Sequence, residues 1–150
     1  MMKKLLLISV CLCSFALAQS GSISTAFEPA VVPIQNHFSF GVAVAGSLNL
    51  TPNNWASVQY GYSESIIPTH TALVGAGRNL VEFLPGATLI GTFQAGRTFS
   101  RAGDHSLLVY GTGVATSLGD GYTVTYGVHI NKQQGARLYP SVFVSLSKSF

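Results

Sequence analysis

The sequence YPSVFVSLSKSF, residues 139–150, alternates apolar and small polar side chains and ends on an aromatic residue. Successive side chains of a strand point to opposite faces, so this segment has one oily face and one small polar face. The oily face contains Val142, Val144, Leu146 and Phe150, and the polar face contains Ser141, Ser145, Ser147 and Ser149. The segment therefore predicts a strand whose apolar face meets either a protein core or lipid.

The first 18 residues have the three parts of a secretory signal peptide. A positive start, Met1-Met-Lys-Lys4, is followed by a short apolar run and by the small-residue motif Ala16-Leu-Ala18. The run is shorter than the roughly 20 residues that a membrane-spanning helix needs. We predict cleavage between Ala18 and Gln19, which leaves residues 19–150 as one exported domain.

Removing the signal peptide changes the composition. Both cysteines lie within it, so the mature chain has no disulfide, thiol nucleophile or cysteine-ligated metal. The mature chain then has six Lys and Arg residues and five Asp and Glu residues, a net charge of +1, which gives no case for nucleic-acid binding.

The low content of charged residues indicates the class of protein. Only 9% of the chain is charged, against about 25% in a soluble domain. The 47% hydrophobic content argues against disorder, and the absence of a long apolar run after residue 18 argues against membrane helices.

Seven segments alternate like strands and are separated by turn residues. They are residues 38–50, 55–65, 71–83, 87–99, 105–116, 122–130 and 139–150. In the first, apolar residues from Phe38 to Leu50 alternate with small residues, without the charges that a water-facing strand normally carries. This pattern and these lengths are typical of strands that cross a bilayer with their apolar side towards lipid. The phase changes within 71–83, where Gly75-Ala-Gly77 is predicted to contain a β-bulge.

The signal peptide, the alternating strands from Phe38 to Phe150 and the terminal aromatic together resemble the small bacterial outer-membrane β-barrel family, of the OmpX and OmpA-barrel types. The resemblance implies an all-β fold, a single antiparallel up-and-down transmembrane β-barrel located in the bacterial outer membrane. It implies two partners: outer-membrane lipid, and the barrel-assembly machinery acting through the C-terminal strand. The residues of that assembly signal are Val142, Val144, Leu146 and Phe150. A structural, adhesive or envelope-interaction role is expected, without enzyme activity.

Strand parity predicts an eighth strand. The C-terminus of the family lies in the periplasm, and signal-peptide cleavage would leave the N-terminus there as well. Seven crossings cannot satisfy both, so we expect Ser22–Phe27 to be the first of eight strands. Pro29 and Pro33 would then lie in or beside the loop that follows. Because an eight-stranded barrel has room only for its own side chains, a pore is not expected.

Charged and aromatic residues near strand ends fit an interfacial position. Lys148 takes an outward position that is usually apolar in the family, but its long side chain can reach the membrane edge. Arg97, near the outer end of its strand, can reach the membrane edge in the same way. Five aromatic residues are predicted to form interfacial girdles. They are Trp55, Phe99, Tyr122, Tyr139 and Phe150.

An enzyme that modifies lipid A is the first alternative. Some small barrels of this location use His and Ser at the outer rim, where His37, His70, Asp104, His105 and Ser106 are expected to lie. A catalytic triad needs its three groups within hydrogen-bond reach. Asp104, His105 and Ser106 are consecutive, so on a strand His105 faces away from both neighbours. We therefore predict no catalytic residue. The second alternative is a soluble secreted β-barrel with its oily faces inward, binding a hydrophobic ligand.

The remaining polar motifs have structural interpretations. His129 is predicted to face inward as a hydrogen-bonded interior residue, since no second His lies at ligand spacing, and no metal or cofactor site is predicted. Arg78 and Glu82 form either an interior ion pair or two solvent-exposed residues at a strand end. The stretches Gly75-Ala-Gly77 and Gly111-Thr-Gly113 do not open a helix after a parallel strand, so they do not predict a phosphate site.

Overall fold

The protein is a closed β-barrel in which each strand pairs with its sequence neighbours and the first strand pairs with the last. The computed structural model describes residues 20–32, 37–64 and 67–150. Its strands are β1 Gly21–Val32, β2 His37–Thr51, β3 Asn54–Glu64, β4 Thr69–Leu84, β5 Ala87–Ser100, β6 Gly103–Gly119, β7 Tyr122–Gln133 and β8 Tyr139–Ser149. All pairs are antiparallel. The predicted all-β, eight-stranded, up-and-down barrel is confirmed.

The predicted signal peptide, with its cleavage site at Ala18 and Gln19, lies outside the described residues. No described residue belongs to a helix long and apolar enough to span a membrane.

The two faces of the wall follow the alternation of the sequence. Large apolar side chains point outward and are exposed, with Val44 at 57% and Val144 at 52% of their accessible surface. Small and polar side chains point inward, and Ser39, Ala43 and Ser141 are buried. An eight-stranded barrel is narrow, so its interior accepts small side chains on most strands and few large ones.

The two ends of the barrel differ. At one end, here called the turn end, lie both described chain termini and the tight turns at residues 52–53, 85–86 and 120–121. Gly86, with φ +77°, and Gly121, with φ +75°, adopt the left-handed backbone that these short turns require. The opposite end, here called the loop end, carries the connections after β1, β3, β5 and β7.

The eighth strand predicted from parity exists as β1. It is longer than expected, because it continues past Phe27 to Val32 and pairs with both β2 and β8. The predicted position of Pro29 is wrong, since it lies within β1 and pairs with Phe40 of β2. Pairing with β8 is interrupted at this position, as expected for a residue without an N–H. Pro33 lies outside the described residues.

The phase change in β4 comes from bulges, but not at the predicted glycines. Register with β5 shifts between Asn79 and Val81 and again between Glu82 and Leu84, whereas Gly75 and Gly77 pair regularly. The two glycines are needed for space. A Cβ on Gly77 would collide with the Trp55 indole, and one on Gly75 would collide with the backbone carbonyl of Phe93.

Candidate functional site

The outward face forms an apolar band between two sets of polar residues. Among described residues, the charged side chains on this face lie toward the two ends of the barrel. Toward the loop end these are Glu64, Arg97, Asp104 and Lys132, and toward the turn end Arg78, which pairs with the first residue of β3, and Lys148. The middle of the band presents Val, Leu, Phe, Tyr or small residues instead. A surface of this kind is unfavourable in water and suited to hydrocarbon.

Lys148 shows how a charge at the edge of this band is accommodated. Its Nζ lies 4.1 Å from the centroid of the Tyr122 ring and donates a hydrogen bond to the carbonyl oxygen of Asp120 in the turn. The ammonium group is thus directed to the turn end, where it gains a cation–π contact. This agrees with the predicted reach of the side chain to the membrane edge.

The aromatic residues at strand ends divide between the two faces. Tyr122 and Phe150 are exposed on the outward face near the turn end. Trp55 and Tyr139 are not on that face, so their predicted place in an outer girdle is wrong. Trp55 covers Gly77 inside the barrel, and Tyr139 lines an interior cavity. Position near a strand end does not determine the face, because the face follows from residue parity.

The rim residues considered for catalysis are not brought together. His70 points outward, where its Nδ1 lies 2.8 Å from the hydroxyl of Tyr60. His105 takes the inward side of β6, while its neighbours Asp104 and Ser106 are exposed. For His37 the structure describes the backbone only. The prediction that His105 faces away from Asp104 and Ser106 is therefore confirmed.

Arg78 and Glu82 do not form the interior ion pair, and of the two only Glu82 lies near an end of β4. Both are exposed, and neither is in an ion pair within the described part of the chain. The Glu82 carboxylate instead accepts the backbone N–H of Gly86 at 2.8 Å, which closes the turn between β4 and β5.

A polar cavity of about 110 Å³ occupies the loop half of the interior. Its polar lining comes from seven strands and includes Glu28, Ser39, Gln59, Thr71, Gln94, Asn131 and Ser141. The amide of Gln94 on β5 donates to the side-chain oxygen of Gln59 on β3 at 3.1 Å, over the intervening strand β4. Toward the turn end, large side chains including Trp55, Ile90 and Phe143 fill the interior. The barrel therefore contains a chamber that is closed toward the turn end.

A polar cluster in the chamber is centred on the carboxylate of Glu28, which contacts His129. Nδ1 of His129 donates to Oε1 of Glu28 at 2.9 Å, and the Ser141 hydroxyl donates to the same oxygen. The amide of Asn131 donates to Oγ of Ser141 at 2.9 Å. The imidazole also stacks on the Phe143 ring at 4.2 Å between centroids. His129 is thus the hydrogen-bonded interior residue that the sequence predicted.

This cluster contains the three residue types of a hydrolase triad in the wrong order. In a triad, the imidazole lies between the hydroxyl and the carboxylate, so that it removes the hydroxyl proton. Here Glu28 lies between His129 and Ser141, and both donate to its carboxylate. The described residues also contain no group of three metal-ligating side chains. The arrangement ties strands together and does not activate a nucleophile.

Sequence reasoning missed this cluster because its members are far apart in the chain. Glu28 is 101 residues from His129 and 113 residues from Ser141. Parity alone could place all three on the inward face. Only the closure of β1 on β8 brings them to one level of the barrel.

An apolar outward band, a small polar interior and eight antiparallel strands define the architecture of a small transmembrane β-barrel. The orientation of the side chains also rejects the soluble alternative, which requires the oily faces to point inward.

Comparisons with known structures agree with this class. The N-terminal β-barrel domain of Pseudomonas aeruginosa OprF superposes with a TM-score of 0.65 at 9% identity, covering 89% of this chain and 98% of that chain. Neisserial surface protein A gives 0.62 at 11% identity, with 87% and 94% covered. The attachment invasion locus protein Ail of Yersinia pestis gives 0.56 at 13% identity, with 89% and 100% covered.

No protein-family model and no curated protein sequence matches the chain. Likeness at such low identity shows the fold alone. At the level of fold, the predicted resemblance to small outer-membrane barrels is confirmed.

Proposed function

We propose that the protein is a small integral outer-membrane β-barrel with a structural, adhesive or envelope-interaction role and without enzyme activity. The observation that supports this most directly is the reversed polarity of the wall, with exposed apolar residues such as Phe40, Val44 and Tyr126 outside and Ser39 and Ala43 buried inside. Only a surrounding hydrocarbon phase makes that arrangement stable.

In the proposed orientation the turn end lies in the periplasm and the loop end faces outward. This follows the pattern of short turns on the periplasmic side of outer-membrane barrels. The connections at the loop end are also short, since β5 and β6 are separated by two residues only. They suit contact with lipid head groups or other envelope components better than a large specific binding site. Two structural neighbours carry names that refer to a surface protein and to attachment, which is consistent with such a role.

Neither catalysis nor transport is supported by the interior. His70 and His105 point to different faces, and Glu28 separates the imidazole of His129 from the hydroxyl of Ser141. Trp55, Ile90 and Phe143 fill the interior below the chamber. We therefore propose neither a lipid A-modifying enzyme nor a pore.

Outer-membrane lipid and the barrel-assembly machinery are the proposed partners. On the outward face of β8, apolar side chains at alternate positions form an exposed stripe that an assembly factor could bind before the barrel closes. The stripe consists of Val142, Val144, Leu146 and Phe150.

Membrane fractionation with a gel-mobility assay tests the location and the fold together. Expressed in a Gram-negative host, the protein should sediment with the outer membrane, resist extraction by carbonate or urea washes and dissolve only in detergent. An unboiled sample should migrate differently from a boiled one, because a closed barrel resists unfolding in detergent. Recovery in the soluble periplasmic fraction, with one mobility before and after boiling, would reject the proposal.

A further inference from the structure

The seam between β1 and β8 contains one proline on each strand, Pro29 on β1 and Pro140 on β8, and the register places Pro29 opposite Val142. Of the prolines in the described ranges, only Pro29 and Pro140 lie within strands, while Pro52, Pro68 and Pro85 lie in turns or loops. Proline cannot donate to a strand ladder and is normally confined to sheet edges. A closed barrel has no edge, so two prolines on its closing strands indicate a locally weakened wall.

The register shows where the missing donors would point. Gly21 and Phe150 exchange both backbone hydrogen bonds, at 3.2 and 3.0 Å. In an antiparallel ladder such pairs recur at every second residue, so odd-numbered residues of β1 and even-numbered residues of β8 direct their backbone groups into the seam. Pro29 therefore cannot donate a backbone hydrogen bond to Val142. Pro140 likewise cannot donate to the residue opposite it on β1, Val31.

The pairing of the strands agrees with this deduction. It is continuous from Ser22–Ser149 to Phe27–Val144, stops at Glu28 and Pro29, and returns at the single pair Ala30–Ser141. By contrast, β5 pairs with β6 without interruption over the whole length of β5. The loop half of the β1–β8 seam is thus a part of the wall with a weakened backbone connection.

Side chains connect the two strands where the backbone does not. Glu28 comes from β1 beside the interruption, and its carboxylate accepts hydrogen bonds from Ser141 on β8 and His129 on β7. Asn131 holds the Ser141 hydroxyl from the other side. Hydrogen bonds to a charged acceptor are about twice as strong as neutral ones, so this cluster can replace the two missing backbone bonds.

Different surroundings lie on the two sides of the weakened seam. Inside is the polar chamber of about 110 Å³, to which Glu28 and Ser141 contribute. Outside, directly beside the interruption, is an apolar groove that includes Val42 of β2 and the last regular pair of the seam, Phe27 and Val144. Separation of β1 from β8 at this level would connect the chamber with the lipid-facing surface.

We propose that the loop half of the β1–β8 seam is a lateral gate in the barrel wall, which the Glu28 cluster holds closed. This goes beyond the proposed envelope role, because it assigns a specific opening motion to one of the eight strand pairs.

Amide hydrogen exchange on the folded protein in lipid nanodiscs tests the gate. In Glu28→Ala, the Val142 amide should exchange about tenfold faster or more, as expected for the loss of charge-assisted hydrogen bonds. The Leu146 amide, in the turn half of the same seam, should change less than about twofold because its ladder is intact. The control is Gln59→Ala, which removes another interior hydrogen bond of the same chamber and should leave the Val142 amide unchanged. Glu28→Gln keeps one acceptor oxygen and should give an intermediate rate, so it serves if the alanine variant does not fold.

A second experiment restores the backbone N–H that Pro29 lacks. Pro29→Ala adds an N–H opposite the Val142 carbonyl, so it should slow exchange at Val142 and suppress most of the effect of Glu28→Ala in the double variant. Equal acceleration at Val142 and Leu146, an effect of Gln59→Ala as large as that of Glu28→Ala, or no rescue by Pro29→Ala would each overturn the gate. None of these results would affect the membrane location, which fractionation tests separately.

Discussion

Val44→Arg is expected to lower the free energy of unfolding in lipid vesicles by about 2–4 kcal/mol, the cost of an arginine on the lipid face at mid-membrane. Val44 lies at the centre of β2, and its side chain is 57% exposed on the outward face. A guanidinium group at this depth must leave water or deform the bilayer. Urea titration of the protein refolded into vesicles measures the change without any contribution from assembly factors.

Leu118→Arg is the matched control for Val44→Arg. Leu118 is also exposed, at 61%, but it lies beside the turn between β6 and β7. There the same substitution should cost about 0–1 kcal/mol, because the charge can reach the interface. Equal costs at the two positions would show that the outward face has no depth profile and so does not cross a bilayer.

Gly127→Val should have the second large effect, a loss of about 3 kcal/mol, at the upper end of the range for overpacking. Gly127 lies opposite Gly113 in the β6–β7 ladder, and both face the interior next to the Phe143 ring. A Cβ at Gly127 would collide with the backbone carbonyl of Thr112 and with Cα of Gly113. Because backbone atoms of a closed barrel cannot move aside, the strain remains in the folded state.

Gly91→Val gives the corresponding control, measured by the same urea titration. Gly91 faces outward, and a Cβ there would make only an ordinary contact of 3.5 Å with Leu80. The added methyl groups enter lipid, so stability should be unchanged or slightly raised. If Gly91→Val were as destabilising as Gly127→Val, intrinsic strand propensity and not interior space would explain the glycines.

Most of the architecture could be predicted from alternation and parity. Alternation assigned the outward face of β2, β7 and β8, because a strand has only two faces and one of them is consistently oily. Parity then required a strand before Phe38, although Ser22–Phe27 alternates only weakly. Both arguments depend on local sequence and on the even number of crossings, so no long-range contact had to be known.

The interior could not be predicted in the same way, because large side chains there need space that other strands provide. Phe143 is apolar like its outward neighbours, yet it is 7% exposed and packs where Gly113 and Gly127 leave room. Trp55 depends in the same way on Gly77 of β4. A single sequence shows the glycines but not which strand positions lie opposite them.

The Glu28 cluster and Pro29 show a related limit. Proline predicts a loop when strands are read one at a time. Its position inside β1 interrupts the pairing with β8 at that level, where Glu28 supplies side-chain bonds to β7 and β8. These contacts span more than 100 residues, and they depend on ring closure, which local patterns do not contain.

Nitroxide labels on the outward face test the central claim that this surface lies in hydrocarbon. The mature chain is predicted to contain no cysteine, so single cysteines can be placed at Phe40, Val44, Tyr126 and Val144. In bilayers, each label should relax strongly with oxygen, which concentrates in lipid, and weakly with a water-soluble nickel chelate. A label shielded from both reagents, or relaxed mainly by the nickel chelate, would mean that protein or water covers this face, and the account of a transmembrane barrel would be contradicted.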